Sequence, residues 1–373
     1  MDNTTPSLFK PHILSGLPYK GGSTREQSGK VRKIHKLSSN ECPIGPSPKI
    51  IKAITASLEM LHEYQHEDDS RLRTALAGHY DWKLLPDQFL TANSALELIE
   101  MIVRAFVEPG QECIISSPTF LAYKNFVELQ GGKVIDIPLD RENFSLDPDE
   151  LLRAITNKTR LIFITSPNNP TGAIIPRKIL DRLMESLPSH VVLVYDEVYR
   201  HFVRDRNYAV GLDYVKNSKQ IIGLNSFSKA FGLAGLRVGY AYSTPEITGY
   251  VSRLRRPFMI SVPAMEGAMA ALRDKQYLYN VQRVVREEKN WIQDCFDDLG
   301  LFYWPSQGNF LLFVPPYEGE EFTADLLSRG IMVRETSVFG LPGCIRLSMG
   351  MREANSAFIT ATQKLMEWKQ KVK

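Results

Sequence analysis

From Phe89 onward the chain alternates between two hydrophobic periods. Between Asn93 and Val107, the residues Leu96, Ile99, Met101, Ile102, Val103 and Phe106 recur at helical spacing, so a helix is expected there. Short apolar runs at Glu112–Ser116, Lys133–Leu139, Arg160–Thr165, His190–Tyr195 and Gln220–Asn225 read as strands. Helical stretches at Thr119–Gln130, Leu146–Ile155 and Pro176–Leu187 separate them, the last opening on a proline suited to a first helical turn. Continuous apolar strands between helices imply a largely parallel sheet covered on both faces. In such sheets ligands sit beyond the carboxyl ends of the strands, so chemistry is sought in the residues just after them.

Beyond Pro257 the texture changes. Pro263–Leu299 is a long helical run. Phe310–Val314, Ile331–Arg334 and Cys344–Ser348 read as strands, and Arg352–Gln370 as a closing amphipathic helix. The expected fold class is α/β, with a large domain over residues 50–256 and a smaller α+β domain over residues 257–373. Residues 1–49, rich in glycine and proline, form an arm that wraps between the lobes and joins the small one. A length of 373 residues fits two lobes, because it exceeds what one hydrophobic core usually spans.

Composition narrows the function classes. With 43% hydrophobic and 23% charged residues, the chain is ordinary globular protein. Its 45 basic and 42 acidic residues leave a net charge of +3, which gives no ground for a nucleic-acid partner. No run approaches the ~20 apolar residues that span a bilayer, and Met1–Gly16 is polar, without an apolar signal core. Cys42, Cys113, Cys295 and Cys344 are far apart, so neither a disulfide frame nor a metal site is expected. A cytoplasmic protein with no membrane partner is the expectation.

Five segments at strand ends carry candidate chemistry. Ser226-Phe227-Ser228-Lys229 runs into a glycine-rich turn that ends at Arg237. Two hydroxyls and a guanidinium around a lysine suit a phosphate beside an amine that can form an imine, since partial burial frees the amine of its proton. Ser166-Pro167-Asn168-Asn169-Pro170-Thr171-Gly172 reads equally as a plain turn. Asp196, in Tyr195-Asp196-Glu197-Val198-Tyr199, closes an apolar strand, where a carboxylate needs a cationic partner or serves as a helix cap. Ala92-Asn93-Ser94-Ala95 opens a helix whose free N–H groups suit an anion, or a simple cap. Arg346, with Arg334 upstream, suits a substrate carboxylate or phosphate, or a structural ion pair.

In order and spacing these segments resemble the fold-type-I aminotransferases that use pyridoxal 5'-phosphate, and most of all their histidinol-phosphate branch. The similarity runs from about Leu17 to the C-terminal helix. It implies a mostly parallel seven-stranded sheet, with Lys229 as the Schiff-base lysine and Asp196 on the pyridine nitrogen. Asn169 and Tyr199 would bond the ring's 3-oxygen, and Phe120 would stack on the ring. Ser94, Ala95, Ser226, Ser228 and Arg237 would cradle the phosphate. Tyr64 would reach the partner subunit's phosphate in a homodimer. Tyr19, Asn40, Arg334 and Arg346 would meet the substrate. The branch signal lies in Leu17-Pro18-Tyr19, in Leu37–Pro48 and in Arg334–Arg346.

The implied reaction moves an amino group from L-histidinol phosphate to 2-oxoglutarate, with catalysis by Lys229, Asp196 and Tyr199. The other readings are an aromatic or other amino-acid aminotransferase, or an enzyme like the threonine-phosphate decarboxylases. Two departures stand out: Leu96 occupies a position that is usually acidic, and Glu63-Tyr64-Gln65 replaces Arg-Tyr-Pro.

Overall fold

The computed structural model describes residues 8–15, 34–64, 68–217 and 220–372. Its strands, in chain order, begin with β1 (His35–Lys36), β2 (Phe89–Ala92), β3 (Glu112–Ile115) and β4 (Lys133–Asp136). They continue with β5 (Thr159–Thr165), β6 (Val192–Asp196), β7 (Ile221–Ser226) and β8 (Gly239–Tyr242). The last five are β9 (Tyr303–Trp304), β10 (Phe310–Phe313), β11 (Ile331–Met332), β12 (Arg334–Glu335) and β13 (Ile345–Ser348).

A seven-stranded sheet in the order β2-β8-β7-β6-β5-β3-β4 forms the large lobe. The pairs from β4 through to β7 are parallel, and β8 runs antiparallel to both β7 and β2. The central strands are rich in β-branched residues and buried almost throughout, as two-sided cover demands. Strand alternation divides the interior. Leu161, Phe163, Val192 and Val194 pack with the Ala95–Phe106 helix on one face. Ile162, Ile164, Leu193 and Tyr195 belong to the larger cluster on the other.

A four-stranded antiparallel sheet, β12-β13-β10-β9, builds the second lobe. β1 pairs in parallel with β11, His35 opposite Ile331 and Lys36 opposite Met332, so the segment that follows residue 34 is tied to this lobe.

Several elements differ from the sequence expectation. The helical run Pro263–Leu299 is two helices, Val262–Arg273 and Lys275–Leu299. Asp274 breaks it, because its carboxylate takes the Tyr277 N–H and caps the second helix. The strand expected at Ile331–Arg334 is two pieces in two sheets, β11 against β1 and β12 against β13. The Lys133–Leu139 strand stops at Asp136, whose carboxylate accepts hydrogen bonds from the Ser117 backbone and hydroxyl. Pro176 is the N-cap rather than a first-turn residue. Strands β2 and β8 are not among the strands expected from the sequence.

Gly239 starts β8 against the opening of the Ala95–Phe106 helix. A Cβ there would collide with the Ala95 amide nitrogen and the Ser94 carbonyl carbon, both backbone atoms. Gly239→Ala is therefore expected to cost about 1–3 kcal/mol, the usual range for overpacking, read as a lowered urea midpoint. An unchanged midpoint would contradict this packing.

Candidate active site

β5, β6 and β7 end side by side, and the residues just past them converge on one cavity of about 430 Å³. Ser94, Ala95, Phe120, Asn169, Asp196 and Tyr199 line it, as do Ser226, Ser228, Lys229 and Arg237. The second lobe and the segment after β1 supply Arg334, Arg346 and Asn40. Thirteen residues singled out from sequence thus share one space. Tyr64 does not: it is 83% exposed and stacks on Phe258 at 4.6 Å, outside this chain's own cavity. Tyr19 lies outside the described residues.

The backbone shapes one end for an anion. Ser94 precedes the Ala95–Phe106 helix at φ +112° and makes no side-chain cap, so the first-turn N–H groups are left to another acceptor. Ser226 Oγ accepts the Ser228 N–H at 3.1 Å, which folds the Ser-x-Ser turn toward the same end. Arg237 sits in the left-handed region at φ +55°, with one guanidinium nitrogen on the Ala234 carbonyl at 2.9 Å. Left-handed non-glycine residues persist only where their surroundings hold them, and they cluster at functional sites. Asn40, at φ +52°, is a third in the same cavity.

Asp196 ends β6 fully buried. Burial pushes its pKa up to about 6, against the pull of hydrogen bonds from Tyr123 and the Val198 N–H. The Tyr123 hydroxyl donates to Asp196 Oδ2 at 2.6 Å and lies 2.8 Å from Thr165 Oγ1. Lys229 follows β7. Burial first, then the nearby Arg346 guanidinium, push its pKa down to about 7. Its Nζ donates to the Ser39 carbonyl at 3.0 Å and lies 5.8 Å from the centre of the Tyr199 ring.

The second lobe supplies two further cations to the lining. Arg334 and Arg346 are register partners on β12 and β13, and each guanidinium carbon is 5.7 Å from the Phe339 ring centre. Arg346 also donates to Asn169 Oδ1 and, at 2.6 Å, to the Ser38 carbonyl. Asn40 donates to the Tyr199 hydroxyl at 3.0 Å, and its own Oδ1 accepts from Ser348 at 2.9 Å.

A half-buried amine of lowered pKa beside a buried carboxylate, with unfilled helix N–H groups nearby, defines an enzyme of amine chemistry, built on a two-lobed α/β fold. The chain belongs to the aminotransferase class I and II family, whose model matches residues 32–359. It is 34% identical over 358 residues to histidinol-phosphate aminotransferase of Moorella thermoacetica, covering 95% of this chain and 92% of that one. It is also 34% identical to histidinol-phosphate aminotransferase 2 of Carboxydothermus hydrogenoformans, over 96% and 97% of the two chains. Among solved structures, histidinol-phosphate aminotransferase from Sinorhizobium meliloti in complex with pyridoxal-5'-phosphate superposes with a TM-score of 0.87. That match has 27% identity and covers 98% of this chain and 99% of the other. Aspartate aminotransferase from Thermus thermophilus shares the fold, at TM-score 0.84 and 22% identity over 96% and 99%.

Sequence reasoning missed Tyr123. The signal was its place three residues after Phe120, whose ring it meets edge-on at 5.6 Å, but the residue also fits an apolar core position. Removing its hydroxyl leaves Asp196 with less support for its charged form. Tyr123→Phe is expected to lower aminotransferase kcat about tenfold, in line with the ~1.5–3 kcal/mol typical of hydrogen bonds to charged groups. Full activity in that variant, with unchanged far-UV circular dichroism, would assign Tyr123 to packing alone.

Proposed function

We propose that this chain transfers the amino group of L-histidinol phosphate to 2-oxoglutarate, giving imidazole-acetol phosphate and L-glutamate, with pyridoxal 5'-phosphate as cofactor. The observation that carries the substrate is the pair of guanidiniums, Arg334 and Arg346, that the register of β12 and β13 brings together in the cavity lining. One fork suffices for a single carboxylate, whereas two adjacent forks suit a doubly charged phosphate. The names and identities of the relatives support the same reading.

The residues present fit the cofactor. The N–H groups at Ala95, the hydroxyls of Ser226 and Ser228 and the Arg237 guanidinium would hold its phosphate. Asp196 would meet the protonated ring nitrogen, a cation that favours the charged carboxylate. Asn169 and Tyr199 would lie on the 3-oxygen side, and Phe120 over one ring face. When bound, the cofactor supplies a ring that draws off the electron pair of the breaking Cα–H bond. Lys229 Nζ would serve as the base that takes the proton from the substrate carbon and as the acid that delivers it to the cofactor's former carbonyl carbon. Arg334, Arg346 and Asn40 would orient the substrate.

A homodimer is part of this proposal. Tyr64 and Phe258 form an exposed aromatic pair on the outer surface, suited to reach a partner's site. Among the described residues no helix is long and apolar enough to cross a membrane. The four cysteines are unpaired, which supports the reducing cytoplasm as the location.

Because the Lys229 amine is neutral only above its lowered pKa, cofactor capture by stripped enzyme should accelerate as pH rises through about 7 and then level off. Stopped-flow absorbance would read this. A midpoint near 10.5, the ordinary lysine value, would contradict the buried, desolvated amine.

The substrate is tested by a half-reaction. Micromolar L-histidinol phosphate, added to loaded enzyme without acceptor, should bleach the visible cofactor band, and 2-oxoglutarate should restore it. Bleaching only by phenylalanine, tyrosine or another amino acid would keep the transaminase and discard this donor. Release of CO2 without any need for an acceptor would replace transfer with decarboxylation.

A further inference from the structure

A second cleft, of about 460 Å³, lies outside the active site. It is bounded by the 201–204 stretch after Tyr199, by the Lys275–Leu299 helix and by the loop at 305–307. Arg204, Arg286 and Lys289 line it, and no aspartate or glutamate does. Among the described residues, neither the Arg204 nor the Arg286 guanidinium forms an ion pair. On the same helix Arg283, by contrast, pairs with Glu287 at 2.9 Å.

Lys289 is the built part of the cleft. Its half-buried Nζ donates to the carbonyls of Ser306 at 2.6 Å and Gly308 at 2.9 Å, neutral acceptors that leave its charge unmatched. Burial pushes its pKa down to about 8, as follows for an ammonium without a carboxylate. Arg286 and Lys289 are three residues apart on one helix and so share a face. Arg204 meets them from the other lobe, and its backbone N–H donates to Gln307 Oε1 at 2.9 Å, which holds the two walls together. Gln282, whose amide donates to the His201 carbonyl at 2.6 Å, and Gln293 complete the lining.

We propose that this cleft is a second anion-binding site, which takes a small phosphorylated metabolite through Arg204, Arg286 and Lys289. Three cations with forked and point donors suit the several oxygens and multiple charge of a phosphate better than a lone carboxylate. The volume, close to that of the active-site cavity, admits more than a bare ion. The site binds and carries out no reaction. It lies one step from the catalytic lobe, because the Gln307 N–H donates to the Gly172 carbonyl at 2.9 Å and Asn309 Nδ2 to the Asn40 carbonyl at 3.0 Å.

The test titrates pyrophosphate into cofactor-loaded enzyme by isothermal calorimetry, with the cradle already filled by cofactor. Wild type should bind, and Arg204→Ser/Arg286→Gln should bind at least tenfold more weakly while keeping its visible cofactor band and basal turnover. Lys289→Met, in a second preparation, should weaken binding in the same way. Absence of binding to wild type at millimolar pyrophosphate would overturn the site. So would equal binding by the double variant, since that would place the anion elsewhere, including at Arg334 and Arg346 in the active site.

Discussion

Three consecutive residues, Ser38, Ser39 and Asn40, hold the two lobes' chemistry in one frame. The Ser38 carbonyl receives Arg346 from the small lobe, and the Ser39 carbonyl receives Lys229 from the large one. Asn40 joins Tyr199 on one side to Ser348 on the other. Each bond is short and buried or nearly so, where a lost partner costs far more than it would in water. The segment can do this because β1 has already fixed it against β11. Without that two-residue pairing, Arg346 and Lys229 would have no common reference.

Behind the catalytic strand ends lies a second buried polar layer, centred on Glu197. Its carboxylate accepts from Tyr208 at 2.8 Å, from the Gly211 N–H at 3.2 Å and from Tyr242, with Arg200 4.0 Å away. Asp196 and Glu197 are adjacent, yet they face different partners, as alternation at the end of a strand requires. Asp196 Oδ2 is held by Tyr123 on the face that carries the Ala95–Phe106 helix. Glu197 is anchored on the opposite face, so the pair fixes the strand end from both sides. A carboxylate whose own backbone is held in this way can keep its direction without a cation touching it.

The central strands and the cavity residues were legible because both follow local rules. Two-sided burial writes long apolar runs, and the turns after them must carry the polar groups. Lys229, Asp196 and Arg237 therefore declared themselves by position. The break at Asp274 was not legible in the same way, since a capping aspartate between two amphipathic helices looks like one more surface charge. Tyr123 was hidden for a different reason. A tyrosine that buries its ring against Phe163 and spends only its hydroxyl on Asp196 has the pattern of a core residue.

The split of the Ile331–Arg334 run shows how much specificity can depend on a local failure of regularity. Had the run continued as one strand beside β1, Arg334 would have stayed in that two-stranded sheet. Instead the chain leaves β11 after Met332, passes through buried Val333 and enters β12 opposite β13. That shift of sheet brings Arg334 into register with Arg346 and sets both against Phe339. Two like charges on paired strands repel unless an anion or an aromatic face lies between them. The arrangement is therefore costly as architecture unless an anion fills the space between the two guanidiniums, which is why the proposed substrate rests on this pair rather than on the turn at Ser94.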